Sequence, residues 1–239
     1  MPGVSPLRKL EYLGPVNGDV AAPPERWWKA NECSYNSRKM PIDTIVIHAT
    51  AGSSSSGAMS VTNGCNASWH YLIPDENESA HGEHAWICVP VEKKAWHVLR
   101  RVQFPIDGKT DINSRSIGFE IVNAQHTGDQ FSDWQYQITA HIINYWRKQL
   151  GSIKYLTTHS YLDPSRRNDP GHTFDWDRFM ALINEGIEPI DVDAYAKDAV
   201  QWAQESGLMV GYPDGRFGGR DPLSRQDAAV VLKRFSEMS

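Results

Sequence analysis

The stretch SIGFEIVN, Ser116–Asn123, alternates: Ile117, Phe119 and Ile121 fall on one side of an extended chain, Gly118 and Glu120 on the other. Strand side chains alternate between faces with a period of two. The apolar set therefore marks a face against a core, and Glu120 lies on the opposite face, where Gly118 leaves space beside it. Upstream, MPIDTIVIHAT carries the β-branched run Ile42–Ile47 of a buried strand, with His48 at its end. WHYLIP (Trp69–Pro74), AWICVPV (Ala85–Val91) and YLTTH (Tyr155–His159) are further predicted strands. A helix is predicted to start at Ser132 or Asp133, either a good cap, and to stop at Gly151. Its apolar stripe includes Trp134, Ile138, Ile142, Tyr145 and Trp146, which assigns both tryptophans to the core. DWDRFMALINEG predicts a second helix ending at Gly186. Strands interleaved with helices predict the α/β class, a central mixed β-sheet flanked by helices.

The 239 residues carry 24 Lys+Arg against 29 Asp+Glu, a net charge of −5, which argues against nucleic acid as a partner because phosphate binding wants a basic patch. A hydrophobic fraction of 40% and a charged fraction of 22% suit a chain that buries a core. No apolar run approaches the ~20 residues of a membrane helix, so no membrane partner is expected. The opening MPGVSPLRKLEYLGPVNGDV has no apolar stretch of signal-peptide type. Cys33, Cys65 and Cys88 match no zinc-knuckle or redox spacing, and the expectation is three reduced, mostly buried thiols.

Residues Met1–Lys39, rich in Pro, Gly and polar groups, read as an extended arm packed on a main unit at 40–186. A composition shift places a linker at 187–191, followed by a small helical module at 192–239. This tail is small for a core that stands alone and is expected to lean on the main unit or on another copy of itself.

His48 and His159 both end predicted strands, and Asp169 follows His159 in a loop. A sheet presents side chains to a cleft at its strand ends, and three N/O ligands with an open fourth position describe a catalytic zinc site. Glu120 would serve there as general base. Arg166 and Arg167, just before Asp169, offer a cation for an oxyanion, either of them by sequence. Nine His allow many chance pairings, and no H-E-x-x-H signature is present, so spacing alone does not establish the site.

The strings IVIHAT, SWHYLI, KAWHV, SIGFEIVN and THSYLDPSRRNDPGHTFDW, in this order, resemble the zinc-dependent N-acetylmuramoyl-L-alanine amidases of the amidase-2 type, a family that includes phage endolysins. The resemblance spans roughly Met40–Glu185. It implies one Zn2+ per chain on His48, His159 and Asp169, with Glu120 as the catalytic carboxylate. The family's cation two residues before the third ligand, often Lys, falls on Arg167, which keeps the charge but cannot give up its proton. His70, Trp96 and His97 fall on strings that match the family's substrate groove. The implied reaction is hydrolysis of the amide between N-acetylmuramic acid and the L-alanine of the stem peptide in peptidoglycan. His81 and His84 read as surface residues, and His126, His141 and His172 as structural ones.

The tail resembles an S-layer homology repeat, through DVDAYAKDAVQWA, GLMVGYPDGRF and PLSRQDAAVVLKRF. That resemblance implies a secondary cell-wall polymer as partner, with Asp214, Ser224, Arg225 and Asp227 as polymer contacts, or a homo-oligomer formed through the tail. Helix capping by Ser224, with Asp227 at the third helical position, explains two of these residues equally well. Together the two resemblances imply an endolysin, made in a bacterial cytoplasm without a signal peptide and acting on the wall after release. A non-catalytic wall-binding module, an autolysin and a wall-recycling amidase are the alternatives.

Overall fold

The computed structural model describes residues 7–16, 20–79, 81–82, 84–185, 196, 199–200, 202–203, 206, 208–209 and 223–237. Nine strands and five helices are described: β1 Leu10–Tyr12, β2 Glu25–Trp27, β3 Tyr35–Ser37, β4 Thr44–Ala49, β5 Tyr71–Ile73, β6 Ala85–Ile87, β7 Lys93–Ala95, β8 Ser116–Ile121 and β9 Tyr155–Thr158, with α1 Ser55–Asn63, α2 Asp133–Leu150, α3 His159–Leu162, α4 Trp176–Glu185 and α5 Arg225–Glu237.

Seven strands form one mixed sheet in the order β1-β9-β4-β8-β5-β6-β2, and β3 pairs with β7 in a second, two-stranded sheet. The centre is parallel: β4 runs alongside β8 and β9, and β5 alongside β8. β4 is buried throughout, the continuous apolar reading of a strand covered on both faces. Ile45, Ile47, Ile117, Phe119 and Ile121 point to one face and pack with Ile138, Ile142, Phe179 and Ile183 of α2 and α4. The opposite face carries His48, Gly118 and Glu120 and is covered in part by Ala58 and Met59 of α1, which pack against Leu72.

The predicted bounds of α2 match its chemistry. Ser132 accepts from the Gln135 backbone N–H, the Gln135 side chain returns a bond to the Ser132 backbone, and Gly151 closes the helix at φ 62°. The N-terminal arm differs from its prediction: β1 pairs antiparallel with β9 and β2 parallel with β6, so the arm supplies both edge strands of the main sheet. Three-residue strands give no periodicity to read, and their pairing with distant segments covers otherwise open backbone edges.

The cysteine expectation is corrected. Cys33 and Cys65 form a disulfide, with Cα atoms 5.4 Å apart, and Cys88 is the buried free thiol. The bond ties the 3-10 turn Glu32–Ser34 to the chain just past α1, two segments whose proximity sequence spacing does not reveal. In the tail, the linker 187–191 and Asp214 lie outside the described residues. At the start of α5 the Ser224 hydroxyl accepts from the Asp227 backbone N–H at 3.1 Å and donates to Asp227 Oδ2 at 2.6 Å, which is the capping arrangement.

Candidate active site

Parallel pairing sets the site. His48 lies directly across from Glu120 in the β4–β8 ladder, and Ile47 pairs with Thr158, which brings His159 next to His48. His159 opens α3, whose cap is the Thr158 hydroxyl accepting from the Tyr161 N–H. All three side chains thus stand at the C-terminal ends of parallel strands, where open α/β sheets place ligands. Asp169 arrives from the following loop. Its own carbonyl accepts from the Ser160 N–H at 2.9 Å, and the Gly171 N–H binds Gln125 Oε1 at 3.2 Å. Gln125 in turn donates to the Ala49 carbonyl, which clamps this loop to the end of β4.

His48 Nδ1 and His159 Nδ1 are 2.8 Å apart, and Asp169 Oδ2 lies 3.0 Å from His159 Nδ1 and 3.3 Å from His48 Nδ1. These three atoms lie within 4.8 Å of one another, and their residues are buried. Two imidazole nitrogens aimed at each other and at a carboxylate form a donor set that suits zinc. Burial, with His159 alongside, pushes the His48 imidazole down to about 4. Burial opposes ionisation of Asp169, but the adjoining His159 and His48 rings outweigh it and hold the carboxyl below the usual range. Both groups are thereby kept in their ligating forms, a neutral imidazole and a carboxylate.

A cavity of about 450 Å³ opens over this trio, walled by residues 49–54, the first turns of α1, Trp69, Glu120, Gln125 and Arg167. Burial, and then Asp169, raises the Glu120 carboxyl well above the usual carboxylate range, and the Arg167 charge counters both. The two arginines separate clearly. Arg166 is tied to Asp163 Oδ2 at 2.9 Å, while Arg167 lines this cavity and an adjoining one of about 380 Å³. Trp96 lines the adjoining cavity beside Lys94, Arg100 and Asp111.

His97 reaches the main cavity, yet both its ring nitrogens have protein partners: His48 Nε2 at 3.0 Å and Ser116 Oγ at 3.1 Å. His70 does not reach it. It is fully buried, its Nδ1 accepts from the Gly118 N–H at 3.0 Å, and its Nε2 meets Lys93 O at 3.2 Å beside Arg38. The groove contact expected of His70 is thus replaced by a bond that holds β8. Gly118 is also reassigned, since the space it leaves is filled by the His97 ring and is not open beside Glu120. Gln125 and Ser116 went unnoticed in the sequence, because an isolated polar residue in a loop or strand carries no pattern.

Residues 38–172 match the family model for N-acetylmuramoyl-L-alanine amidase, and residues 191–229 match the S-layer homology domain. The chain is 35% identical over 97 residues to the 1,6-anhydro-N-acetylmuramyl-L-alanine amidase AmpD of Citrobacter freundii, covering 40% of this chain and 49% of that protein. It therefore spans about half the length of the curated relatives it matches. AmiD from Escherichia coli, solved with the substrate anhydro-N-acetylmuramic acid-L-Ala-D-gamma-Glu-L-Lys, aligns with a TM-score of 0.51 and 24% identity over 82% of this chain and 79% of its own. The endolysin LysCS from Clostridium intestinale aligns with a TM-score of 0.52 and 14% identity over 70% of this chain and 99% of its own. Identities this low establish likeness of fold.

Proposed function

This chain belongs to the N-acetylmuramoyl-L-alanine amidase family, and on that premise we propose that it hydrolyses the amide between N-acetylmuramic acid and the L-alanine of the stem peptide in intact walls, as an endolysin does. The observation that carries this reading is the trio His48, His159 and Asp169 facing Glu120 in one cavity. One Zn2+ held by His48 Nδ1, His159 Nδ1 and Asp169 Oδ2 would polarise the scissile carbonyl and acidify a water. Glu120 takes the proton from the attacking water and passes it to the leaving nitrogen of L-alanine. Its burial favours the proton-holding form, and Arg167 favours the carboxylate, a balance that suits a group which must both accept and release. Arg167 directs its guanidinium at the oxyanion, and its exposed position lets it meet substrate at the rim. Trp96, in the adjoining cavity, would line the path of the polymer.

Two observations favour a working place at the wall over the recycling of soluble fragments. The disulfide Cys33–Cys65 suits oxidising surroundings, and the S-layer homology match supplies a reason to bind wall polymer. The exposed Val230, Leu232 and Phe235 of α5 support association of the tail with a partner surface, a second chain or the wall.

Mass spectrometry of purified peptidoglycan and of soluble muropeptides, each digested with and without a chelator, tests the reading. Stem peptides with a free L-alanine amino group, released from intact wall and lost on chelation, are expected. New reducing sugar ends would overturn the site assignment, and turnover confined to soluble fragments would replace lysis with recycling. Glu120→Ala should retain zinc in elemental analysis while losing turnover by at least ~100-fold; undiminished turnover would remove Glu120 from the mechanism.

A further inference from the structure

His97 and Ser116 form a line of hydrogen bonds that ends on His48, and donor counting fixes the direction of every bond. Ser116 has one hydroxyl hydrogen, and the Ile112 carbonyl takes it at 2.8 Å. Toward His97 Nε2, 3.1 Å away, the Ser116 oxygen is therefore an acceptor, so His97 carries its hydrogen on Nε2. A neutral imidazole has one N–H, which leaves His97 Nδ1 as an acceptor. Its partner at 3.0 Å is His48 Nε2, which must then be the donor. A neutral His48 with hydrogen on Nε2 has a bare Nδ1, and that is the atom facing His159 Nδ1 and Asp169 Oδ2.

The line is anchored at its far end. Asn113 Oδ1 accepts from the backbone N–H groups of His97 and Val98 at 3.3 and 2.8 Å, while its Nδ2 donates to the Val98 carbonyl at 2.7 Å. Gly118 gives the His97 ring its seat, since a Cβ there would lie 2.6 Å from His97 Cγ. Ser116, Ile112, Asn113 and His97 are all buried, so water does not compete for these bonds.

We infer that Ser116 and His97 are positioning residues that lock His48 in the Nε2–H tautomer and so present its Nδ1 lone pair to the metal. This rests on the zinc reading of His48, His159 and Asp169. A ligand imidazole whose second nitrogen is left unpaired can flip or adopt the wrong tautomer, and losing such a partner typically weakens metal binding by about 10–100-fold.

The test uses the full chain. Long-range proton–nitrogen NMR on the metal-free, nitrogen-15-labelled protein reads the tautomer directly, and zinc competition with a chromophoric chelator reads affinity. In the native chain His48 is expected as the Nε2–H tautomer with one zinc bound. Ser116→Ala and His97→Ala should give mixed His48 tautomers and zinc binding weaker by about 10–100-fold. His97→Asn, whose Oδ1 takes the place of Nδ1 as acceptor, should restore most of the affinity lost in His97→Ala. A native His48 bearing hydrogen on Nδ1 overturns the relay without any variant, and so do variants with unchanged tautomer and affinity. Equal losses in His97→Asn and His97→Ala also overturn it. A native chain with the expected tautomer but no stoichiometric zinc would instead remove the metal reading and leave the hydrogen-bond line standing.

Discussion

Gly118→Ala is the smallest change expected to disturb the site from a distance. The added Cβ would sit 2.6, 2.7 and 2.8 Å from Cγ, Cδ2 and Nδ1 of His97, where ordinary contacts begin at 3.4 Å. The ring must therefore move by up to about 0.8 Å, or β8 must yield. Neither is free to do so: Asn113 and Ser116 hold His97, and β8 is laddered on both sides by β4 and β5. Overpacking of this kind costs about 1–3 kcal/mol, offset in part by the ~0.5–1 kcal/mol gained when alanine replaces a strand glycine. The net expectation is about 0.5–2 kcal/mol less stability. A ring displaced by 0.8 Å away from His48 would stretch the 3.0 Å bond to about 3.8 Å, beyond hydrogen-bond range, so zinc affinity should fall too. Urea unfolding of the zinc-free protein reads the first effect, and chelator competition reads the second. In a Gly118→Ala, His97→Ala double variant the clash has no partner, so its loss of stability should be smaller than the sum of the two single losses. An unfolding midpoint and zinc affinity equal to those of the native chain would refute the close-packed role of Gly118.

Three further expectations follow from other parts of the molecule. Replacing Cys33 and Cys65 together by Ser opens a covalent loop with a sequence separation of 32 and should cost about 3–4 kcal/mol in urea unfolding; reductant should lower the native chain to the variant's midpoint and leave the variant unmoved. Arg167→Ala removes the charge that counters the effect of burial on Glu120, so the acidic limb of the kcat/KM profile should move to higher pH, whereas Arg167→Lys should hold it in place. Glu25, pushed up to about 7 by burial despite a hydrogen bond with Tyr71, holds a proton more tightly when folded than at its ordinary 4.5. Its contribution to stability is full below about 4.5 and is lost as pH rises through about 7, so Glu25→Gln should flatten the fall in Tm across that window.

Much of the chain declared itself through short-range pattern. The alternation of Ser116–Ile121 set the two faces of β8, the β-branched run before His48 set β4, and Ser132 and Gly151 bounded α2, because periodicity and capping depend on neighbours within a turn or two. The ordered strings around His48, Glu120, His159 and Asp169 carried the family resemblance, which the family match over residues 38–172 bears out. Long-range pairing was not legible. The arm's β1 and β2 became sheet edges only by meeting β9 and β6, and Cys33 met Cys65 only because the arm passes the end of α1. Arg166 and Arg167 are neighbours in sequence, yet Asp163 captures one and the cavity receives the other. Most tellingly, Gly118, Ser116 and His97 acquire their roles only when β8 and the chain after β7 pack together. A sequence states which groups a chain owns and how each short segment bends. Which lone pair a histidine shows to its partner depends on hydrogen bonds from residues far along the chain, and those exist only once the sheet has closed around them.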